Sequence, residues 1–241
     1  MLFLRRFIDL CKRYPLISLL AGLVLCIFLY LGRYLVWPPV WHLTTENPAQ
    51  TSFMEYRVKQ WAARGENKTI KQTWKDLGQI SRHLQKAVVL AEDGIFWTHD
   101  GFDRDRLRLA WETNWAARRV VMGSSTISQQ LAKNLYFQPD KSVTRKLREA
   151  LITWRLERHL EKERILELYL NVAEWGDGIF GAEAAARHYF GVSAARLTRQ
   201  QAATLAVMLP NPLNRSPDSR IVKRNTQRLL ARMQREGDPR W

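Results

Sequence analysis

The sequence predicts a mainly helical protein, with one all-α domain placed behind a single apolar helix near the N-terminus. Apolar residues recur at intervals of three and four, as in Ile80, Leu84, Ala87, Val88 and Ala91, which is the period of an amphipathic helix. No stretch shows sustained alternation of period two, the pattern of a half-buried strand. The length of 241 residues, 46% of them hydrophobic and 25% charged, fits one sizeable domain with an appendage and excludes a disordered or collagen-like chain.

The appendage is an uncharged run from Tyr14 to Gly32, rich in Leu, Ile, Val and Phe. At about 1.5 Å per residue, this helix approaches the roughly 30 Å hydrocarbon core of a bilayer. Basic residues precede the run, so the positive-inside rule predicts that residues 1–13 are cytoplasmic and that residues 14–37 form an anchor with the rest of the chain beyond it. A cleaved signal peptide is the alternative, but no small-residue cleavage pattern follows the run.

Residues 38–50 hold three prolines among polar neighbours and are predicted to be a linker, which leaves residues 51–241 as the predicted domain. Both cysteines, Cys11 and Cys26, lie in or before the anchor, so we expect no internal disulfide in the domain. Packing alone must stabilise it.

The chain is strongly basic. It contains 38 Lys and Arg against 23 Asp and Glu, a net charge of +15. Such an excess indicates an anionic partner, and composition leaves open a nucleic acid, an acidic membrane surface or a phosphorylated substrate.

The first group of chemistry-bearing residues follows the predicted helix that ends near Ala91. The run from Glu92 to Gly101 places carboxylates, a histidine and aromatic side chains at a helix-to-loop junction. Burial beside Phe96 and Trp97 is expected to raise the pKa of Glu92 and make it a stronger base than a free glutamate. A solvated C-terminal turn is equally compatible with the spacing.

The second group, Gly123–Asn134, opens a helix through a capping box formed by Thr126 and Gln129. The helix is predicted to have an apolar inward face, Ile127, Leu131 and Leu135, and a polar stripe, Gln130, Lys133 and Asn134. The helix N-terminus, its hydroxyl residues and the charge of Lys133 favour an anion. A solvated polar face is the alternative.

The third group places Arg145, Arg148 and Glu149 on one helical face, with Arg145 and Glu149 four residues apart. Taken alone, it is most simply an exposed ion pair worth a few tenths of a kcal/mol. In a functional interpretation, the arginines hold phosphate oxygens and Glu149 is a second carboxylate of the site.

Between the first two groups, Leu107, Trp111 and Trp115 form an apolar stripe at four-residue spacing. Basic residues flank the stripe: Arg104, Arg106, Arg108, Arg118 and Arg119. This pattern is typical of a helix that lies among lipid headgroups, while a core-facing stripe with a solvated basic face is the alternative. Because the chain is predicted to be anchored, we favour membrane contact.

The order of these segments resembles that of the peptidoglycan glycosyltransferases of family 51, over roughly residues 75–217. The motifs are E-D-x-x-F-x-x-H-x-G at Glu92–Gly101, G-x-S-T-I-x-Q-Q-L-x-K-N at Gly123–Asn134, R-K-x-x-E at Arg145–Glu149 and I-L-E-x-Y-L-N at Ile165–Asn171. The run from Glu174 to Gly191 looks especially like the monofunctional transglycosylases, and Leu209–Pro212 resembles the last family motif. The chain departs from the family at Glu161, where members commonly have serine before the lysine.

The resemblance implies a lysozyme-like fold and an enzyme that polymerises lipid II into linear glycan strands by inverting β-1,4 transfer, with release of undecaprenyl pyrophosphate. It implies catalytic roles for Glu92, as general base, and for Glu149, which positions the leaving group or a divalent cation. The implied substrate-binding residues are Ser124, Thr126, Gln130, Lys133, Asn134, Arg145 and Lys146. No cofactor is firmly implied, and Mg²⁺ or Mn²⁺ at the pyrophosphate stays open.

The resemblance also implies a single-pass inner-membrane protein with a periplasmic catalytic domain. Its partners would be lipid II, the growing glycan, the membrane and a possible cell-wall synthesis complex, with no nucleic acid. The chain ends at Trp241, so we expect no transpeptidase activity.

Two rival functions remain. A lysozyme-like muramidase would cleave the same glycan with Glu92 as general acid, but it needs no cations for a pyrophosphate. A membrane-tethered nucleic-acid-binding protein would use the basic charge, but export of the basic part argues against it.

Overall fold

The computed structural model describes residues 12–140 and 142–236 and divides into two compact units, one ending at Pro39 and the other beginning at Val40. Most of the predicted cytoplasmic segment 1–13, including Cys11, lies outside the described residues, as do the last five residues of the predicted domain.

The first unit is built on helix α1, Pro15–Gly32, followed by a 3-10 turn at Arg33–Leu35. From Pro15 to Leu35 it is 21 residues long with a mean hydropathy of 2.4, and no residue of Pro15–Gly32 is buried. Within the described part of the chain, it is the one helix long and apolar enough to cross a membrane. The predicted apolar N-terminal helix is therefore confirmed.

The second unit is mainly helical, as predicted. Its helices are α2 (Ser52–Ala63), α3 (Arg82–Glu92), α4 (Arg104–Ala117), α5 (Ile127–Tyr136), α6 (Val143–His159), α7 (Lys162–Val172), α8 (Ala182–Phe190), α9 (Arg199–Met208) and α10 (Arg220–Arg235). Short 3-10 turns lie at Trp41–Thr44, Leu77–Gln79 and Ala194–Arg196.

Side-chain caps fix where most of these helices begin. The capping residues, each accepting a hydrogen bond from a backbone N–H of the first turn, are Thr51, Ser81, Asp103, Thr126, Ser142, Thr198 and Ser219. Helix α7 differs, because Glu161 stands at its N-cap and makes no capping hydrogen bond through its side chain. Serine is a preferred N-cap residue, so the departure at Glu161 leaves α7 without a side-chain cap.

The core lies where α5 packs against α6 and α7, and where α3 packs against α9 and α10. Helix α7 is almost wholly buried, because Ile165, Leu166, Leu168, Leu170 and Val172 all lie in the interior. This arrangement brings the C-terminus of α3 and the N-terminus of α5 together in front of α7.

A small three-stranded sheet was not predicted. Its strands are β1 (Lys71–Gln72), β2 (Glu174–Gly176) and β3 (Ile179–Phe180), with β3 in the middle, parallel to β1 and antiparallel to β2. Strands of two or three residues are too short to show alternation in a sequence.

Part of the predicted linker 38–50 packs on the helical unit. Val40 and Leu43 are buried, and the Arg164 guanidinium donates 2.8 Å hydrogen bonds to the carbonyl oxygens of Leu43 and Glu46 and to Oδ1 of Asn47. This segment is ordered because its apolar residues are buried and because Arg164 bonds to its backbone.

Candidate active site at the junction of α3 and α5

Glu92 is the last residue of α3 and only 9% of it is exposed. Its Oε2 accepts a 2.7 Å hydrogen bond from Nε2 of Gln130, and the Gln130 Oε1 accepts a 2.9 Å hydrogen bond from the Tyr169 hydroxyl. The other oxygen, Oε1, is buried and has no hydrogen-bond partner among the described residues. One oxygen of the carboxylate is therefore held by a hydrogen bond, and the other can accept a proton.

Burial raises the pKa of Glu92, because the charged carboxylate loses hydration. The hydrogen bond from Gln130 and the positive charges of Arg106, Lys133 and Arg215 oppose this effect without cancelling it. The predicted direction of the pKa is confirmed, and Gln130 and Tyr169 form the polar environment that the spacing did not reveal.

The rest of the first motif fastens α3 to α5. The buried carboxylate of Asp93 accepts hydrogen bonds from the backbone N–H of Ile127 at 3.0 Å and from Nε2 of His99 at 2.9 Å. The His99 Nδ1 accepts a 2.9 Å hydrogen bond from the N–H of Gly101, so Nε2 carries the proton that is donated to Asp93. These residues fix the position of Glu92 by joining α3 to α5.

Gly101 is required by its backbone. Its φ is +88°, and a Cβ would lie 2.9 Å from the side chains of Glu157 and Thr153. Only glycine accepts both the left-handed conformation and the close approach.

The predicted capping box of α5 is present, and it occupies Thr126. The Thr126 hydroxyl accepts from the N–H of Gln129 at 3.2 Å and donates to the carbonyl oxygen of Gly101 at 2.7 Å. Its side chain is buried, with 1% exposure. The expected contact of Thr126 with substrate oxygens is therefore wrong, because its hydroxyl is already bonded at the helix cap. Ser124 instead lines a groove along α4, beside Trp111 and Asn114.

The two faces of α5 lie as predicted, since Ile127, Leu131 and Leu135 are buried. The polar stripe Gln130, Lys133 and Asn134 lines a cleft of about 250 Å³ rather than open solvent. The opposite walls are formed by Phe53 and Arg57 of α2, by Glu174 and by residues 209–213.

Glu149 lies buried between two cations. Its Oε2 pairs with Nη1 of Arg145, its Oε1 pairs with Nζ of Lys146, and its side chain is 2% exposed. Lys146 also donates a 3.0 Å hydrogen bond to Oγ of Ser125. The interpretation as an exposed surface ion pair is therefore wrong, because the carboxylate is held inside the protein.

Lys133 belongs to the same charged group. Burial lowers its pKa, and the positive charges of Arg145 and Lys146 lower it further, while the carboxylates of Glu149 and Glu92 act in the opposite direction. Three cations thus interact with one buried carboxylate, and one of them, Lys133, lines the cleft. This arrangement suits a multiply charged anion.

Glu149 does not fit the ligand of a divalent cation in this arrangement, because both of its oxygens are paired with cations.

The fourth motif, Ile165–Asn171, lies in α7 and stabilises the site through that helix. Asn171 is buried, its Oδ1 accepts a 2.9 Å hydrogen bond from the N–H of Lys75, and its Nδ2 donates to the Lys75 carbonyl oxygen at 2.8 Å. The motif thus ties the segment after β1 to α7, the helix whose Tyr169 orients Gln130.

Sequence reasoning missed three site residues. Arg57 makes a two-pronged ion pair with Glu174 in the cleft wall, with N–O distances of 2.8 and 2.7 Å. Arg106 donates a 2.6 Å hydrogen bond to the carbonyl oxygen of Glu92. In the sequence it is one of the basic residues that flank the apolar stripe of α4. Arg215 donates a 2.6 Å hydrogen bond to the carbonyl oxygen of Val207, and its positive charge acts to lower the pKa of Glu92. No local spacing signals these contacts.

The stripe on α4 does not face the core. Leu107, Trp111 and Trp115 are 53%, 70% and 74% exposed, and the two tryptophan rings stack with centroids 6.1 Å apart. Ala110 is the buried residue of this helix. The core-facing alternative is excluded, and an exposed apolar surface of this size indicates contact with a partner or a membrane.

Comparison with known proteins identifies the family of the chain. The Transglycosylase family model matches residues 59–234. The biosynthetic peptidoglycan transglycosylase of Aromatoleum aromaticum is 54% identical over 166 residues, covering 69% of this chain and 72% of the relative. The protein of the same name from Methylobacillus flagellatus is 43% identical over 220 residues, covering 90% of this chain and 94% of the relative. The chain therefore belongs to the Transglycosylase family, the peptidoglycan glycosyltransferases that the order of its motifs predicts.

Proposed function

We propose that this chain joins lipid II units into linear glycan strands by β-1,4 transfer with inversion, and that undecaprenyl pyrophosphate is the leaving group. The observation that carries the chemistry is the unpartnered, buried Oε1 of Glu92, on a carboxylate whose pKa is raised. A base of this kind, held next to a cationic cleft, suits the attack of a sugar hydroxyl on a phosphate-activated sugar.

Glu92 acts as the general base. The 4-hydroxyl of the incoming lipid II N-acetylglucosamine attacks C1 of the growing strand, and its proton passes to Oε1 of Glu92. The new β C–O bond forms as the α bond from C1 to the pyrophosphate oxygen breaks, and the electron pair leaves with the pyrophosphate. The raised pKa strengthens the base, and the hydrogen bond from Gln130 holds the other oxygen in place.

Lys133, Arg145 and Lys146 receive the departing pyrophosphate. Negative charge grows on this group as the C1–O bond breaks, so contacts with the cations strengthen in the transition state and accelerate the step. Glu149 is a positioning residue in this proposal, because it orients Arg145 and Lys146 through its two oxygens. Gln130, Asn134 and Ser124 are proposed to bind sugar or phosphate oxygens.

The enzyme is proposed to work at the outer surface of the inner membrane. Helix α1 anchors it with the N-terminus in the cytoplasm, and the exposed stripe of α4 enters the headgroup region near the lipid-linked substrate. Recruitment by a cell-wall synthesis complex is a further expectation of the resemblance.

Purified full-length protein incubated with labelled lipid II tests the proposal. Polymer above the monomer band, with release of undecaprenyl pyrophosphate, is expected. A carboxyl group with a raised pKa also suits the general acid of a muramidase. Cleavage of preformed glycan without polymer formation would therefore overturn the proposal in favour of the hydrolase.

A further inference from the structure

The last turn of α3, which carries Glu92, is not closed by a glycine cap. The last four carbonyl groups of a helix lack partners within the helix, and a left-handed glycine just after the helix commonly satisfies them. Here Asp93 follows α3 with a φ of −154°, and its N–H donates a 2.8 Å hydrogen bond to the carbonyl oxygen of Val89. The carbonyl groups of residues 90–92 therefore need partners from other parts of the protein.

Two arginines from distant helices bond to this turn. Nη1 of Arg232, in α10, donates a 2.7 Å hydrogen bond to the carbonyl oxygen of Leu90. Nη1 of Arg106, in α4, donates a 2.6 Å hydrogen bond to the carbonyl oxygen of Glu92 itself. Cations are favourable at this end of a helix, because the aligned peptide dipoles place negative charge there. The position of Glu92 thus depends on two side chains that lie outside the family motifs.

The two arginines differ in their surroundings. Arg232 also pairs with Glu236, with Nε and Oε1 2.8 Å apart, and it occupies the space beside Gly94, where a Cβ would lie 2.6 Å from Nη2. Arg106 forms no ion pair with a carboxylate among the described residues, and the hydrogen bond from its guanidinium goes to Glu92. The positive charge of Arg106 is therefore left to act on Glu92.

Arg106 is held at its backbone as well as at its side chain. Its N–H donates a 2.8 Å hydrogen bond to Oδ1 of Asp103, the N-cap of α4. One residue thus joins the first turn of α4 to the last residue of α3, across 14 positions of the chain. Glu92 is consequently fixed from two sides, by Gln130 of α5 at its carboxylate and by Arg106 of α4 at its backbone.

The charge of Arg106 also favours the ionised form of Glu92. Burial raises the pKa of this carboxyl group, and four side chains from the packed elements lower it: Gln130, Arg106, Lys133 and Arg215. Among the three positive charges, Arg106 has the largest effect. The Tyr169 hydroxyl of α7 stays protonated, because burial raises its own pKa. Removal of Arg106 should therefore raise the pKa of Glu92 further.

We propose that Arg106 is a positioning residue of the transfer reaction, which fixes the backbone of Glu92 from the first turn of α4 and sets a positive charge near its carboxylate. The inference rests on the proposed function, in which Glu92 is the general base. A base must lie within hydrogen-bond reach of the hydroxyl that it deprotonates, and a displacement of about 1 Å can lower a rate about 100-fold. Arg106 acts through Glu92 and does not touch the substrate. It also links Glu92 to the helix whose exposed stripe is proposed to enter the headgroup region.

The test measures kcat and KM for labelled lipid II over a series of pH values, with the full-length protein in detergent. Arg106→Gln should lower kcat about tenfold near neutral pH and leave KM unchanged. It should also move the acid limb of the kcat profile to higher pH, because Glu92 must be ionised and loss of the charge raises its pKa. Arg106→Lys keeps the charge, so it should restore the acid limb, while kcat stays below the wild-type value because an amine lacks the geometry of the guanidinium.

Two other arginines provide the comparisons. Arg224→Gln, at an exposed position of α10, removes the same charge and should behave as the wild type does. Arg232→Gln removes the other hydrogen bond to the end of α3, so it should lower the Tm and move the acid limb less than Arg106→Gln does.

An acid limb that stays in place in Arg106→Gln, whatever its Tm, would show that Arg106 has a structural role alone and would overturn the inference. A raised KM with unchanged kcat would overturn it too, because Arg106 would then bind the substrate. Glu92→Gln in the same assay separates this inference from the proposed function. If Glu92→Gln is inactive and Arg106→Gln behaves as the wild type, this inference fails alone, whereas normal polymerisation by Glu92→Gln would refute the proposed role of Glu92.

Discussion

Gln130 of α5 donates a 2.7 Å hydrogen bond to Glu92 at the end of α3, and thereby fixes one oxygen of the carboxylate while the other stays unpartnered. The Tyr169 hydroxyl, at 2.9 Å from the Gln130 Oε1, sets which end of the amide faces Glu92. Three helices thus meet at one carboxylate.

Glu92→Gln should abolish polymerisation while the fold is retained. The amide keeps the shape of the side chain and can still accept from Gln130, but it cannot take a proton from the attacking hydroxyl. Loss of a general base lowers the rate by roughly 100-fold to 10,000-fold. The rate of strand formation from labelled lipid II is the measurement, and Glu163→Gln, an exposed glutamate of α7, is the control. Turnover near the wild-type rate would remove Glu92 from the chemistry.

Gln130→Ala should move the acid limb of the pH–rate profile to higher pH. Glu92 must be ionised to act as a base, so activity is lost as pH falls through its pKa in the folded protein. The hydrogen bond from Gln130 lowers that pKa against the effect of burial, so its removal raises the pKa further. The profile of kcat against pH measures the shift, with Gln138→Ala, an exposed glutamine just after α5, as the control. An acid limb that stays in place would mean that Glu92 does not control it.

Local patterns were sufficient for the helices and for the capping box of the second motif. The apolar period of α5, the capping box at Thr126 and the apolar N-terminal helix all follow from residues within a few positions of one another, and each is present in the structure. Position at the end of α3 left a solvated turn equally open for Glu92, and only the resemblance to the family assigned it a catalytic role.

Contacts between distant segments could not be predicted. Arg57 and Glu174 are separated by 117 positions, so no spacing rule connects them. The burial of Glu149 depends on how α6 packs against α5, and a pattern of charges four residues apart looks the same on an exposed helix. Thr126 was predicted to cap α5, and only the resemblance assigned it to substrate; the hydrogen bond that its hydroxyl donates to Gly101, 25 positions away, could not be predicted.

Lys133→Ala and Arg145→Ala should each lower turnover at least tenfold. Each change removes a charge-assisted contact to a phosphate oxygen, worth about 1.5 to 3 kcal/mol, most of it in the transition state. The change in kcat should exceed the change in KM for lipid II. Arg145→Lys should restore activity only in part, because lysine lacks the two-pronged geometry of a guanidinium.

Arg224→Ala, an exposed arginine of α10, controls for loss of positive charge alone. Wild-type polymerisation by both the Lys133 and Arg145 alanine variants, with unchanged Tm, would show that these cations do not meet the pyrophosphate. The cations would then no longer favour a polymerase over a muramidase.

Trp111→Ala combined with Trp115→Ala should reduce binding of a chain beginning at Val40 to anionic phospholipid vesicles. Both rings are exposed and stacked, and burial of apolar surface contributes about 25 cal/mol per Å², so loss of two indoles should weaken partitioning at least tenfold. Trp154→Ala, 44% exposed on α6, is the control in the same flotation assay. Equal flotation of the double variant and the wild type would contradict the membrane role of α4.

Glu149→Gln should move the alkaline limb of the pH–rate profile to lower pH. Lys133 must be protonated to meet a phosphate, so activity is lost as pH rises through its folded-state pKa, which burial holds below the ordinary lysine value of about 10.4. The Glu149 carboxylate opposes that lowering, and its removal lets the pKa fall further. A group acting directly in the chemistry would instead reduce kcat equally at every pH. Turnover measured from neutral to alkaline pH, with Tm followed in parallel, distinguishes the two, and an unmoved alkaline limb would refute the assignment of Glu149 as the residue that positions the cations.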